Sequence, residues 1–197
     1  MMMTGTYVLR STADVDEDGE LVIRARSDQA AFVQLYRRHY DVIFRYCAHR
    51  LFDRAAAEDV TSEVFLKMVE NFYRFKGTES QLRNWLYRIA NNAVNHHLRR
   101  IIRRNSLLRA GFEQAGNQAD DSEESPERLV LLKGAVLALK PRYQTIIALR
   151  FFENMKLIEI AEVLGSSPGT VRSQLARALA KLRMGLDAEF AEKSEDS

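Results

Sequence analysis

One stretch constrains this chain more than any other: Lys156–Arg183, KLIEIAEVLGSSPGTVRSQLARALAKLR. Ile158, Ile160, Ala161 and Leu164 recur at helical spacing and stop at Gly165, a residue type that closes helices because it takes positive φ without a Cβ penalty. Ser167 then reads as an N-cap, with Pro168 at the first helical position, where its missing N–H costs nothing. In the second pattern Val171, Leu175, Leu179 and Leu182 share one side, and Arg172, Ser173, Ala176, Arg177 and Lys181 the other. Two helices, a glycine turn and a basic outer face make a helix-turn-helix, whose second helix is built to enter a DNA groove. A helical hairpin with solvated arginines remains the alternative on this stretch alone.

The rest of the chain also reads as helix. Residues 1–19 form a flexible N-terminus, and Glu20–Arg26 a short helix. From Asp28, Phe32, Leu35, Tyr36, Tyr40, Ile43, Phe44 and Cys47 follow a three-to-four spacing, so Cys47 is a buried thiol. In Arg54–Asn71 the buried stripe is Val60, Val64, Phe65 and Met68, and Asp59, Ser62, Glu63, Leu66 and Glu70 face away. By itself that acidic face is a solvated one. An aromatic, basic segment, Phe72 to Gly77, leads to Thr78 and Gln81, spaced as a capping box. The helix from Leu82 to about Arg104 sets Trp85, Leu86, Ile89, Ala90, Ala93 and Val94 on one side. Asn84, Arg88, Asn91, Asn92, Asn95, His96 and Arg99 lie on the other. Asn, His and Arg along a helix suit base edges and phosphates, and exposed Asn lowers helix propensity without adding charge. His96-His97 has no Cys, Asp or Glu at ligand spacing, so no metal is expected.

Residues 105–125 are rich in Gly, Asn, Gln, Asp and Ser, and read as an acidic linker. Ser125-Pro126-Glu127 starts a new helix with Val130, Leu131, Ala135, Val136 and Leu139 inward. Pro141 opens another through Phe152, with Tyr143, Ile146, Ile147, Leu149 and Phe151 available to pack. No strand pattern emerges. The expected fold is all-α: two small helical bundles, residues 20–104 and 126–186, joined by the flexible linker, with a short tail at 187–197.

Charge narrows the function. The 197 residues carry a formal net charge of +2, low for a protein that holds DNA through phosphates alone. The charge is segregated: Arg99, Arg100, Arg103, Arg104 and Arg109 precede Glu113, Asp120, Asp121, Glu123, Glu124 and Glu127. Weak intrinsic DNA affinity with help from a partner fits this balance. An autonomous helix-turn-helix regulator, dimeric on two-fold half-sites, is the alternative; an inactive decoy is another. No nucleophile motif, metal cluster or phosphate loop points to an enzyme, and no cofactor is expected. With no apolar run long enough for a membrane span and no signal-peptide core at the N-terminus, the expectation is a cytoplasmic protein.

Four stretches in order carry a resemblance: DQAAFVQLYRRHYDVIFRY, AAAEDVTSEVFLKMVENFYRFKG, NWLYRIANNAVNHHLRR and LKPRYQTIIALRFFENMKLIEIAEVLGSSPGTVRSQLARALAKLR. Together they resemble a sigma factor of bacterial RNA polymerase, of the extracytoplasmic-function type (group 4 of the sigma-70 family). The resemblance implies a region 2 domain at 20–104 and a region 4 domain at 126–186. It implies that Asp59, Ser62, Glu63 and Leu66 dock on the clamp helices of the polymerase β′ subunit, with the β flap as a further contact. Phe75, Lys76, Thr78 and Ser80 correspond to the loop that captures a flipped base of the −10 element. Asn84, Arg88, Asn91, Asn92, Asn95, His96 and Arg99 correspond to the helix that reads and opens that element. Ser167, Thr170, Arg172, Ser173, Gln174, Ala176, Arg177 and Lys181 correspond to contacts with the −35 element. The linker is expected near the active-site cleft and RNA exit path, and an anti-sigma protein is an expected partner. Ser62 stands where the family commonly has Gln, Asn91 where Arg is frequent, Asn95 and His96 where an Asp is common, and Gln174 where Arg or Lys is frequent.

Overall fold

The computed structural model describes residues 20–109 and 127–195. The N-terminus at 1–19, most of the linker, the Ser125-Pro126 helix start and residues 196–197 lie outside them. The described residues form helices throughout, with no strand among them: α1 (residues 20–24), α2 (Gln29–Leu51), α3 (Arg54–Asn71), α4 (Glu79–Arg109), α5 (Glu127–Leu137), α6 (Pro141–Ile147), α7 (Leu157–Leu164) and α8 (Pro168–Glu195).

Local chemistry sets the boundaries. The Asp28 carboxylate accepts the Ala30 N–H at 2.8 Å and Asp53 that of Ala56 at 2.9 Å, capping α2 and α3. Between them Phe52 takes φ 53°, uncommon for a side chain of its size, and donates its N–H to Ala48 O. Thr78 and Gln81 form the expected capping box, so α4 begins at Glu79, one turn before the apolar pattern suggests. A π turn at Ala148–Phe152 separates α6 from α7, and the Glu153 N–H reaches back five residues to Ala148 O.

The helices α1 to α4 bury Leu35, Ile43, Tyr46, Cys47, Val60, Val64, Met68, Leu82, Leu86 and Val94 almost completely. The two expected helical parts pack against each other. Ile146, Leu149, Ile160, Val163 and Val171 of the C-terminal half belong to the same continuous core as the N-terminal helices. A smaller cluster, Ala135, Val136, Leu139, Tyr143, Ile147, Ala178 and Leu182, holds α5, α6 and α8 together, with Phe52 packed on it. The halves are docked along α4 and α7.

Three apolar expectations change. Ile158, Phe151 and Leu179 are exposed at 62%, 51% and 42%, while Ala178 is wholly buried. The inward stripe of α8 runs Val171, Leu175, Ala178, Leu182; one residue on from Ala178, Leu179 is turned away from α5 and α6.

Candidate nucleic-acid interface

The helix-turn-helix is built as its sequence dictates. Glu159 caps its own helix, accepting the Lys156 N–H at 2.7 Å. Gly165 closes α7 at φ 60°. Ser167 Oγ accepts the Thr170 N–H at 3.1 Å and pairs with Thr170 Oγ1 at 2.9 Å, fixing the first turn of α8. Val171 is fully buried, which orients the helix and leaves Arg172, Ser173, Ala176, Arg177 and Lys181 in solvent on one face. Gln174 is half-buried at the edge of that face. Two guanidiniums one and a half turns apart on an unobstructed helix can make bidentate contacts to guanine edges or phosphates.

On α3, Asp59, Ser62, Glu63 and Leu66 all face solvent, as the pattern requires. Glu63 is tied to Lys67 at 2.5 Å, an exposed helical pair of small energetic weight. Leu66 and Val69 are 59% and 55% exposed and Tyr73 65%. The sequence reading does not single out Val69, and it marks Tyr73 only as part of the aromatic, basic segment Phe72 to Gly77. Their signal is an apolar residue three positions after Leu66, off the buried stripe, continuing into the aromatic segment. Acids around an exposed apolar strip suit a protein partner better than nucleic acid.

The loop before α4 holds an open cleft of about 570 Å³ lined by Lys67, Arg74, Phe75, Lys76, Trp85 and Ile89, among others. Phe75 stacks on Trp85 at 5.4 Å and on Phe72 at 6.4 Å, and its carbonyl accepts from Arg26 at 2.8 Å. Its ring is therefore a wall of the cleft and not a free flap. Lys76 is exposed in the cleft lining, whereas Thr78 and Ser80 are exposed outside it, Ser80 on a separate pocket with Arg38, Glu79 and Arg83. Behind the loop, Glu79 is buried against Arg38 at 2.7 Å and His39 at 3.4 Å. Burial raises the Glu79 pKa, but hydrogen bonds and charge from His39 and Arg38 outweigh it and hold the carboxyl at about 2.

The polar face of α4 departs most from expectation. Asn92, His96 and Arg99 are exposed, but Asn84 is 9% exposed and its Nδ2 donates to Glu162 Oε2 at 2.7 Å. Arg88 donates to the carbonyls of Glu162 and Val163. Asn91 Oδ1 accepts from Tyr46, Asn95 and Thr145, and Asn95 Oδ1 accepts from the buried Arg50 at 3.1 Å. The docked α7 supplies the acceptors for Asn84 and Arg88, while α2 and α6 supply the donors that hold Asn91 and Asn95. Among the described residues no three His, Cys, Asp or Glu side chains gather as metal ligands.

A chain whose described residues are helical, with a basic helix-turn-helix at one end and an amide- and arginine-lined helix beside an aromatic cleft, belongs to the DNA-binding proteins. Comparison with known proteins is narrower. The family described as "Sigma-70 region 2" matches residues 35–104, and "Sigma-70, region 4" matches residues 129–182. The ECF RNA polymerase sigma factor BldN of Streptomyces coelicolor is 33% identical over 183 residues, spanning 88% of this chain and 68% of that one. The RNA polymerase sigma-H factor of Pseudomonas aeruginosa is 33% identical over 175 residues, spanning 83% and 90%. Among solved structures, CnrH in complex with the cytosolic domain of CnrY aligns with TM-score 0.64 at 24% identity, covering 87% of this chain and 97% of that one. RpoE of Bartonella quintana, bound to the anti-sigma factor NepR, gives 0.63 at 20% identity, covering 79% and 96%. These two share its fold. The chain belongs to the sigma-70 family of RNA polymerase sigma factors, among the extracytoplasmic-function relatives.

Proposed function

We propose that the protein acts in the cytoplasm as a group 4 factor that binds core polymerase through α3, opens the −10 element along α4 and reads the −35 element with α8. The observation that carries this reading is the pair of separate exposed faces, acidic and apolar on α3, cationic on α8, in one chain of the sigma-70 family. Asp59, Ser62, Glu63 and Leu66, with Val69 and Tyr73 beside them, form the surface for the β′ clamp helices. The β flap meets the region 4 half. The cleft walled by Phe75 and Trp85, with Lys76 in its lining, receives an unstacked base, and Thr78 and Ser80 on the following turn meet the strand beside it. Stacking on such a wall is worth about 1–3 kcal/mol per base, comparable to the few kcal/mol needed to flip one out. Asn84, Arg88, Asn91, Asn92, Asn95, His96 and Arg99 then line the path of the separated strand. Ser167, Thr170, Arg172, Ser173, Gln174, Ala176, Arg177 and Lys181 meet the −35 duplex. An anti-sigma protein controls access to these surfaces, and the regulon is a stress or envelope response. The bond-making chemistry belongs to the polymerase.

The test is binding of the purified protein to bacterial core RNA polymerase. Asp59→Ala/Glu63→Ala should weaken binding at least tenfold without changing the circular dichroism. Unchanged affinity in that variant overturns the α3 assignment, and no binding by the wild type overturns the reading as a whole.

A further inference from the structure

The polar contacts between the two halves run mainly one way. The N-terminal helices contribute donors: Arg83 to Glu159, Asn84 to the Glu162 carboxylate at 2.7 Å, Arg88 to the Glu162 and Val163 carbonyls, Tyr87 to Glu153 at 2.7 Å and Arg50 to Gln144 at 2.7 Å. The C-terminal half contributes acceptors, three of them carboxylates. One hydroxyl, Thr145 to Asn91 at 2.9 Å, runs the other way. An array of carboxylate and carbonyl oxygens laid along Arg and Asn side chains presents what a sugar–phosphate strand presents. Glu159 is fixed for the task by its cap bond to the Lys156 N–H.

We propose that α7 is an internal stand-in for the −10 strand: docked on α4 it occupies the donors that the strand needs, and the halves separate before the promoter opens. The inference rests on the reading of α4 as the −10 face. Geometry requires the separation. Elements centred at −10 and −35 are about 25 base pairs apart, roughly 85 Å of duplex at 3.4 Å per pair. Arg172 follows Glu162 by ten residues, so even an extended chain places it within about 35 Å of Asn84's partner. A docked molecule cannot span both sites on a straight duplex. The cationic face of α8 stays in solvent while docked, and so does the cleft at Trp85. The lock therefore acts on the strand's path along α4 and leaves −35 reading and the base pocket untouched.

The test uses the full chain with Arg83→Cys/Glu159→Cys, a pair taken from the docked interface itself, bridged by a short bismaleimide; the unbridged double variant is the reference, so the lost donor and acceptor are common to both forms. Cys47 is buried and its thiol is pushed up to about 11 by burial, so it does not compete near neutral pH. The bridge should form readily in the free protein. With core polymerase, the bridged form should bind a fluorescein-labelled single-stranded 20-mer of randomised sequence at least tenfold more weakly than the unbridged form, core affinity being equal. Equal binding by the two forms overturns the lock alone, and so does failure of the bridge to form. Loss of core affinity on bridging places the block at the polymerase and overturns the proposal that α7 replaces DNA. If neither the unbridged variant nor the wild type adds strand binding to core, the α4 reading falls, and the lock with it.

Discussion

Gly77 and Gln81 make a quantitative test of the loop that leads into α4. A Cβ built on Gly77 would lie 2.5 Å from Gln81 Oε1, 3.2 Å from Gln81 Cβ and 3.0 Å from Phe75 Cζ. That Oε1 accepts the Thr78 N–H at 3.0 Å, half of the capping box. Among the described residues the glycine with positive φ is Gly165, so alanine at 77 is not strained by its backbone. Two terms then compete in Gly77→Ala. Eviction of the Gln81 amide removes a cap worth about 1 kcal/mol, while the loss of glycine's freedom in the unfolded chain returns about 0.4–1 kcal/mol. The single variant should therefore be close to neutral, and Gln81→Ala should lose about 1 kcal/mol, or about 2–4 °C in Tm for a chain of this size. In Gly77→Ala/Gln81→Ala the cap is lost only once, and the entropy gain remains. The double variant should be more stable than Gln81→Ala by the entropy gain less the cost of the contacts to Phe75 and the residue 81 Cβ, with a coupling of about 1 kcal/mol. The entropy term cancels in this cycle, which is why the cycle and not the single variant carries the test. Urea unfolding followed at 222 nm measures it. Additivity within about 0.3 kcal/mol would refute the capping geometry and the contact with it.

The structure implies three other outcomes. Arg172→Ala or Arg177→Ala should lower run-off transcription from promoters with the native −35 element about 5- to 150-fold, a contact worth about 1–3 kcal/mol, at unchanged core affinity. The Glu79 pKa is depressed to about 2 from 4.5, so its stabilisation is complete above about pH 4.5 and fades as pH falls toward 2. Glu79→Gln should remove that acid limb from urea midpoints measured between pH 5 and 2. The Cys47 thiol is fully buried and raised to about 11, so the native protein should resist Ellman's reagent at pH 8 and react fully in guanidinium; rapid reaction of the folded chain contradicts that burial.

What was legible in the sequence is what short-range chemistry decides. Gly165, Ser167 and Pro168 mark a turn that needs no information from elsewhere, and the structure closes and opens helices there. The acidic face of α3 was legible because its buried stripe is unambiguous. Ile158 and Leu179 were misplaced because α7 and α8 carry more apolar residues than one stripe can hold; which ones turn inward depends on the partner helix. At α8 the partner accepts the small Ala178. The face of α4 shows the larger gap. Asn84 and Arg83 are matched to Glu162 and Glu159, 78 and 76 positions away, and neither glutamate differs in its local pattern from a solvated residue. Polar spacing identifies groups that need partners, but not whether the partner is nucleic acid or another part of the same chain.

The π turn at Ala148–Phe152 has a consequence for which changes in length the gene can accept. Each residue of an α-helix advances the chain by about 100°, so the extra residue in that turn sets the azimuth at which α7 and α8 leave α6. It also lets Phe152 stack on His49 at 4.2 Å. Deleting Arg150 would convert the turn to ordinary helix and rotate everything after it by about a quarter of a circle. The basic face of α8 would swing with it, its own residues untouched. Substitution of the exposed Arg150, which loses one bond from its guanidinium to the Met155 carbonyl at 3.0 Å, should be tolerated far better than its removal, so this turn constrains length more than composition.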